Sequence, residues 1–166
     1  MKFAEVELRQ ITEETWKIIL AEGLELSSQP GTPGKFEDSI AACAQITGDW
    51  RLAVVLNCPS AAARQAATAM FATAQADEKA EDVQDAMCEL VNIIAGNVKG
   101  LLSGNNCLSL PSLVKGSDFR FDFPRHILLA EAWFEFNSQP VLVRLLGEDR
   151  LAVSDTKADA METNSR

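Results

Sequence analysis

Apolar positions along the chain recur with two different spacings, and the switches between them divide it into helices and hairpins. From Thr12 onward, Trp16, Ile19, Leu20 and Leu24 repeat at three- and four-residue steps, the mark of a helix with one buried face. Thr12 is suited to cap that helix, with Glu13 and Glu14 in its first turn near the positive end of the helix dipole. The run SSQPGTPG, residues 27–34, must end it, because two prolines and two glycines cannot continue helical backbone. SIAACAQITG and RLAVVLNC then flank Gly48-Asp49-Trp50 and predict an antiparallel hairpin. Pro59-Ser60 opens an alanine-rich helix to about Ala74, with Ala63, Ala67, Met70 and Phe71 turned inward. A polar, acidic stretch over residues 75–84 leads into a second long helix, residues 85–102. After Gly104, LSLPSLVKG reads as extended, since Pro111 forbids helix and suits a sheet edge or turn. DFRFDFP alternates apolar and charged residues, with Phe119, Phe121 and Phe123 on one face. ILLAEAWFEF and PVLVRLLG predict a second hairpin around Asn137-Ser138-Gln139.

Two long helices that each lead, with insertions, to a hairpin hint at a degenerate internal duplication. Residues 154–166 are polar and aperiodic and read as a disordered tail, leaving residues 1–153 as a single domain.

The helix DAMCELVNIIAGNVKGLL is the most informative stretch. With Asp85 at zero and about 100° per residue, Glu89, Asn92, Gly96 and Lys99 fall within about 40° of it. Met87, Leu90, Val91, Ile94, Val98 and Leu101 gather on the opposite side, where a core would lie. Gly96 and Gly100 each cost a helix about 1 kcal/mol relative to alanine. By spacing alone the stripe fits a solvated surface better than a site. If it is a site, its chemistry is narrow. An asparagine side chain neither attacks nor serves as a useful general base, but its carbonyl oxygen and amide can hold a water. That suffices only where the bond is already reactive and the remaining task is to aim water at it, as at an acyl phosphate on another protein. Glu89 can then pair with a cationic group of the partner, and Gly96 lets the partner's backbone come close.

Composition sets the surroundings. A net charge of −9 over 166 residues leaves no basic patch for phosphates, which argues against nucleic acid. No stretch approaches the roughly 20 apolar residues of a membrane span, and MKFAEVELRQ lacks signal-peptide character, so the cytoplasm is the expected location. Cys43, Cys58, Cys88 and Cys107 are widely spaced in apolar or small-residue contexts and read as buried free thiols. With a single histidine, a zinc site or a nucleophilic triad has little to stand on. His126 reads as structural or surface.

Here the chain resembles the CheC/CheX/FliY group of chemotaxis phosphatases, most of all the CheX type. Asp85, Glu89, Asn92 and Pro111 follow that group's signature in order: an acidic residue or serine, then Glu, then Asn, then a downstream proline. NIIAG (residues 92–96) and LSLPSLVKG resemble the continuation. The resemblance spans roughly residues 12–150. It implies an α+β fold in which long helices pack on a mostly antiparallel sheet, often with homodimer formation through the sheet; the apolar hairpins would suit a sheet edge. It also implies hydrolysis of the aspartyl-phosphate of a CheY-like receiver, with catalytic Glu89 engaging the receiver's lysine and Asn92 orienting water. Asp85, Gly96, Lys99 and Pro111 would meet the partner. Magnesium would come with the receiver, leaving no cofactor or metal of the protein's own. The spacing from Asn92 to Pro111 is shorter than the family pattern, so the helix end or its loop must be trimmed. The first helix lacks a second signature: three residues beyond Glu13 and Glu14 stand Trp16 and Lys17, not asparagine, so one site is expected and Trp16 goes to core or interface. The rival function is a non-catalytic adaptor or flagellar-switch-like protein that binds through the same helix face.

Overall fold

The computed structural model describes residues 5–21, 23, 25–26, 36–117 and 121–148. Its elements in order are α1 (Glu5–Leu20), β1 (Glu25–Leu26), β2 (Ser39–Gly48), β3 (Leu52–Pro59), α2 (Ser60–Phe71), a short 3-10 turn (Gln75–Asp77), α3 (Ala80–Gly100), β4 (Asn106–Leu108), β5 (Ser112–Gly116), β6 (His126–Phe136) and β7 (Gln139–Glu148). Among the described residues, seven strands form one sheet in the order β1-β6-β7-β3-β2-β4, with β5 also pairing β2, and every pairing is antiparallel. This is the helices-on-antiparallel-sheet architecture expected from the sequence.

Both predicted hairpins form. β2 and β3 pair from Ser39↔Pro59 to Ile46↔Leu52. β6 and β7 pair through Phe136↔Gln139, so Gln139 already belongs to the strand. The two turn residues, Asn137 and Ser138, both have positive φ (48° and 62°), the backbone whose twist matches that of the strands it joins. The first hairpin is interior to the sheet, whereas β6 of the second presents most of its length as a sheet edge among the described residues, as the apolar hairpins suggested. The edges are β4 with β5 on one side and β1 on the other, and β1 pairs only with Glu135 and Phe134 of β6.

The three helices share one side of the sheet and one core, in which Leu8, Trp16, Ile46, Leu56, Leu90, Ile94, Phe134 and Phe136 are fully buried. On the other side a small cluster of Ala41, Cys43, Ala53 and Val55 is covered by Phe121, Phe123 and Leu146. Phe121 and Phe123 stack in parallel at 6.0 Å, and the second ring lies 5.6 Å from His126. The histidine, whose Nδ1 lies 3.1 Å from the Pro124 carbonyl, opens β6 in a structural role.

Several local expectations are corrected. Thr12 does not cap α1, which already runs from Glu5; its hydroxyl is buried and donates to the Leu8 carbonyl at 2.7 Å, one turn back. α2 stops at Phe71, not Ala74, because Ala72 adopts a left-handed conformation (φ 51°, ψ 37°) and its N–H bonds the Thr68 carbonyl. Phe71, at that frayed end, is 43% exposed. α3 begins at Ala80, inside the stretch read as a polar lead-in. Leu24, Phe119, the run 27–34 and the tail 154–166 lie outside the described residues.

Candidate functional site

α3 is pinned along its length. At its start the Lys79 backbone N–H donates to the Asp82 carboxylate at 3.3 Å, and Glu81 and Asp82 occupy the positive end of the helix dipole. Its inner face buries Val83, Met87, Leu90, Val91, Ile94 and Val98. Met87 reaches the sheet at Cys58, whose Sγ lies 3.9 Å from the Met87 Sδ. Leu101, assigned to the same face by its wheel position, is instead 48% exposed, because the helix ends at Gly100.

The exit of α3 is latched to the first hairpin turn. Residues 101–105 join it to β4. Asn105 N–H donates to the Asp49 carboxylate at 2.8 Å, and Asp49 N–H returns a bond to the Asn105 carbonyl at 3.1 Å. Trp50 adds two more, its backbone N–H to Asn106 Oδ1 (3.0 Å) and its indole N–H to the Ser103 carbonyl (3.1 Å). Gly104 sits at φ +88° with the Asp49 carboxylate where a Cβ would stand, so only glycine fits there.

The outer face of α3 carries five of the six residues singled out from the sequence. Asp85 and Glu89 are exposed, and Asn92, Gly96 and Lys99 are half-buried. Glu89 and Asn92 are separated by about 4.5 Å of helix rise, a geometry in which both can touch one reacting group. Among the described residues neither side chain has a hydrogen-bond or ion-pair partner. A Cβ built on Gly96 would meet nothing within 4 Å. Packing within the chain therefore does not explain the glycine. Pro111, the sixth residue, stands apart, half-buried in the link between β4 and β5 at the sheet edge.

The cysteines divide by position. Burial pushes the Cys43 thiol up to about 11 and that of Cys58 up to about 12. Cys88, on α3, is raised by burial first and by the negative charge of Asp85 second. Cys107 is exposed and Cys88 half-buried, against the expectation that all four are buried. Among the described residues no cluster of three or more His, Cys, Asp or Glu could hold a metal ion, and no helix is long and apolar enough to cross a membrane.

Sequence reasoning missed the latch from Asp49 to Asn105. It also missed a groove lined by residues of α1 and α3, Ile18 and Ile93 among them. The only local sign of the groove was an isoleucine at position 18 outside the predicted core stripe of α1.

A long helix with an outward acid-and-amide stripe, laid on an antiparallel sheet, defines a class of α+β proteins. The family model for the chemotaxis phosphatase CheX matches residues 40–129, from β2 through α3 into β6. The chain belongs to the CheX family. Solved structures agree on the fold. The chemotaxis protein CheX from Vibrio vulnificus superimposes with a TM-score of 0.66 at 14% identity, covering 85% of this chain and 93% of that one. CheX from Desulfovibrio desulfuricans gives 0.65 at 16% identity, covering 85% and 96%. The CheX-CheY-BeF3-Mg+2 complex from Borrelia burgdorferi gives 0.67 at 15% identity, covering 87% and 98%. No curated protein sequence matches the chain.

Proposed function

We propose that this protein hydrolyses the aspartyl-phosphate of a CheY-like receiver, with Asn92 and Glu89 as the residues that enter the receiver's site. The observation that carries the reading is the pair itself: an exposed carboxylate and a carboxamide one turn apart on α3, both without partners among the described residues, beside a glycine with open space over it. Membership of a family of chemotaxis phosphatases supports it. So does the Borrelia relative, a CheX structure in complex with CheY, BeF3 and Mg2+.

In this reading α3 docks over the phosphorylated aspartate. Asn92 holds a water in line with the phosphorus, its carbonyl oxygen accepting from the water. The water oxygen forms a bond to phosphorus as the bond to the aspartyl oxygen breaks. Inorganic phosphate leaves, the water's proton departs with it, and the receiver regains its carboxylate. Glu89 accepts a charge-assisted hydrogen bond from a lysine of the receiver and fixes the register of docking. Magnesium belongs to the receiver and neutralises charge on the phosphoryl oxygens. Asp85 and Lys99 flank the pair and meet the partner's surface, and Pro111 shapes the neighbouring sheet edge.

The test is decay of a phosphorylated CheY-like receiver with and without the protein. The parent accelerates the decay. Asn92→Ala and Glu89→Ala each reduce that acceleration on the order of 10²-fold, the penalty for losing a positioning contact. Variants as fast as the parent remove the assignment, whereas receiver binding with an unchanged phosphate lifetime replaces it with an adaptor role.

A further inference from the structure

The groove between α1 and α3 adjoins the stripe and is built from both helices. Ile93 and Asn97 follow Glu89 at four and eight residues, so they carry the Glu89 flank of α3 round toward α1, about 40° and 80° further on. A body seated on Glu89 and Asn92 therefore overhangs the groove. The cavity measures about 550 Å³, and its apolar floor includes Ile11 and Ile93. Ile18 stands at its wall 76% exposed and lines the groove together with Ile11, Ile19 and Ile93.

One polar feature gives the groove a chemical preference. Glu14 lies on the rim and accepts from Gln10 Nε2 at 3.0 Å. Among the described residues no lysine or arginine lines the groove, and the chain as a whole carries −9. An apolar side chain next to a cation is the complement.

We propose that the α1–α3 groove is a second contact surface for the receiver, taking an apolar side chain flanked by a lysine or arginine, and that it sets affinity while Asn92 sets rate. This rests on the phosphatase reading above. The experiment is steady-state hydrolysis of a CheY-like receiver kept phosphorylated by acetyl phosphate and magnesium, using Ile18→Glu and Glu14→Lys. Both positions are exposed, so folding is preserved. Each variant raises the half-saturating receiver concentration about tenfold and leaves the saturated rate unchanged, while Asn92→Ala lowers the saturated rate. The Glu14→Lys penalty shrinks as salt is raised. If the groove variants saturate like the parent while Asn92→Ala is slow, the groove inference falls and the phosphatase reading stands. If Asn92→Ala and Glu89→Ala are as fast as the parent, the phosphatase reading falls first. Titration of the receiver into Ile18→Glu then decides the groove separately, and unweakened binding overturns it. A change of Ile18→Glu from dimer to monomer by light scattering also overturns it, because a second copy then fills the groove.

Discussion

α1 and α3 lie side by side on the same face of the sheet, and each carries a glutamate followed three residues later by a residue of distinctive chemistry. On α3 the step runs from Glu89 to Asn92 and points away from the core. On α1 it runs from Glu13 to Trp16 and points in: Trp16 is 1% exposed and meets Phe136 edge-on, with ring centroids 5.2 Å apart. The spacing is the same and the rotation of the helix differs. The buried stripe of α1 is Leu8, Thr12, Thr15, Trp16 and Leu20, so its i+3 position is taken by the core. The buried stripe of α3 passes through Leu90, Val91 and Ile94 and leaves Asn92 outside. A spacing becomes a site only when the apolar stripe on the same helix turns it outward.

The sharpest way to break this contrast is to truncate both residues. Trp16→Ala removes a buried ring from the core and is expected to cost about 3–5 kcal/mol of stability. Asn92→Ala removes a side chain with no partner among the described residues and is expected to stay within about 0.5 kcal/mol of the parent. Denaturant unfolding of both variants measures the pair. Equal losses would mean that Asn92 is structural, and the division between the two helices would collapse.

What the sequence showed and what it hid follow from the range of the interactions. Both hairpins were legible because alternation and a turn are local signals, and the inner face of α3 was legible because a 21-residue helix repeats its apolar stripe several times. Errors gathered at helix ends. Phe71 and Leu101 were assigned inward by a wheel that assumes the helix continues, and both lie where it stops. Thr12 looked like a cap because threonine competes for backbone bonds; here it bonds a carbonyl inside the helix. The latch joins Asp49 to Asn105 across the chain, and the groove joins Thr15 to Ile93, so no window of sequence contains either. The stripe was legible as a pattern, but its chemistry was not. Exposure and the lack of partners at Glu89 and Asn92 required the fold.

α3 is held against the sheet along its inner face. Its inner face meets β3 through Met87 and Cys58, and the Cys58 thiol is buried with its pKa raised from 9.0 to about 12. The folded protein thus keeps the proton at pH values where the unfolded chain has released it. This contribution is whole below pH 9 and is lost as pH rises from 9 toward 12, at about 1.4 kcal/mol per unit. Cys58→Ala lowers stability at neutral pH through the cavity it leaves, but its loss per pH unit above 9 is shallower than the parent's. Thermal unfolding between pH 8 and 10.5 reads the slope. Parallel parent and variant curves would show that Cys58 ionises as readily in the fold as out of it.

The smallest effect separates the two glycines of α3, and it tests whether the outward stripe is shaped for a partner. A Cβ at Gly96 or at Gly100 meets nothing within 4 Å, so the chain itself gains from alanine at either position. Gly96→Ala is expected to add up to about 1 kcal/mol of stability, and Gly100→Ala less, since it is the last helical residue. If Gly96 serves close approach of the receiver, its alanine variant is the more stable and the weaker phosphatase at once, with a higher half-saturating receiver concentration. Gly100→Ala is more stable with no change in hydrolysis. Opposite signs for stability and binding at one position are hard to produce by a folding defect, because a damaged fold loses both. A Gly96→Ala protein that is stabilised and saturates like the parent would leave the glycine without a role in docking, and the outward face of α3 would rest on Glu89 and Asn92 alone.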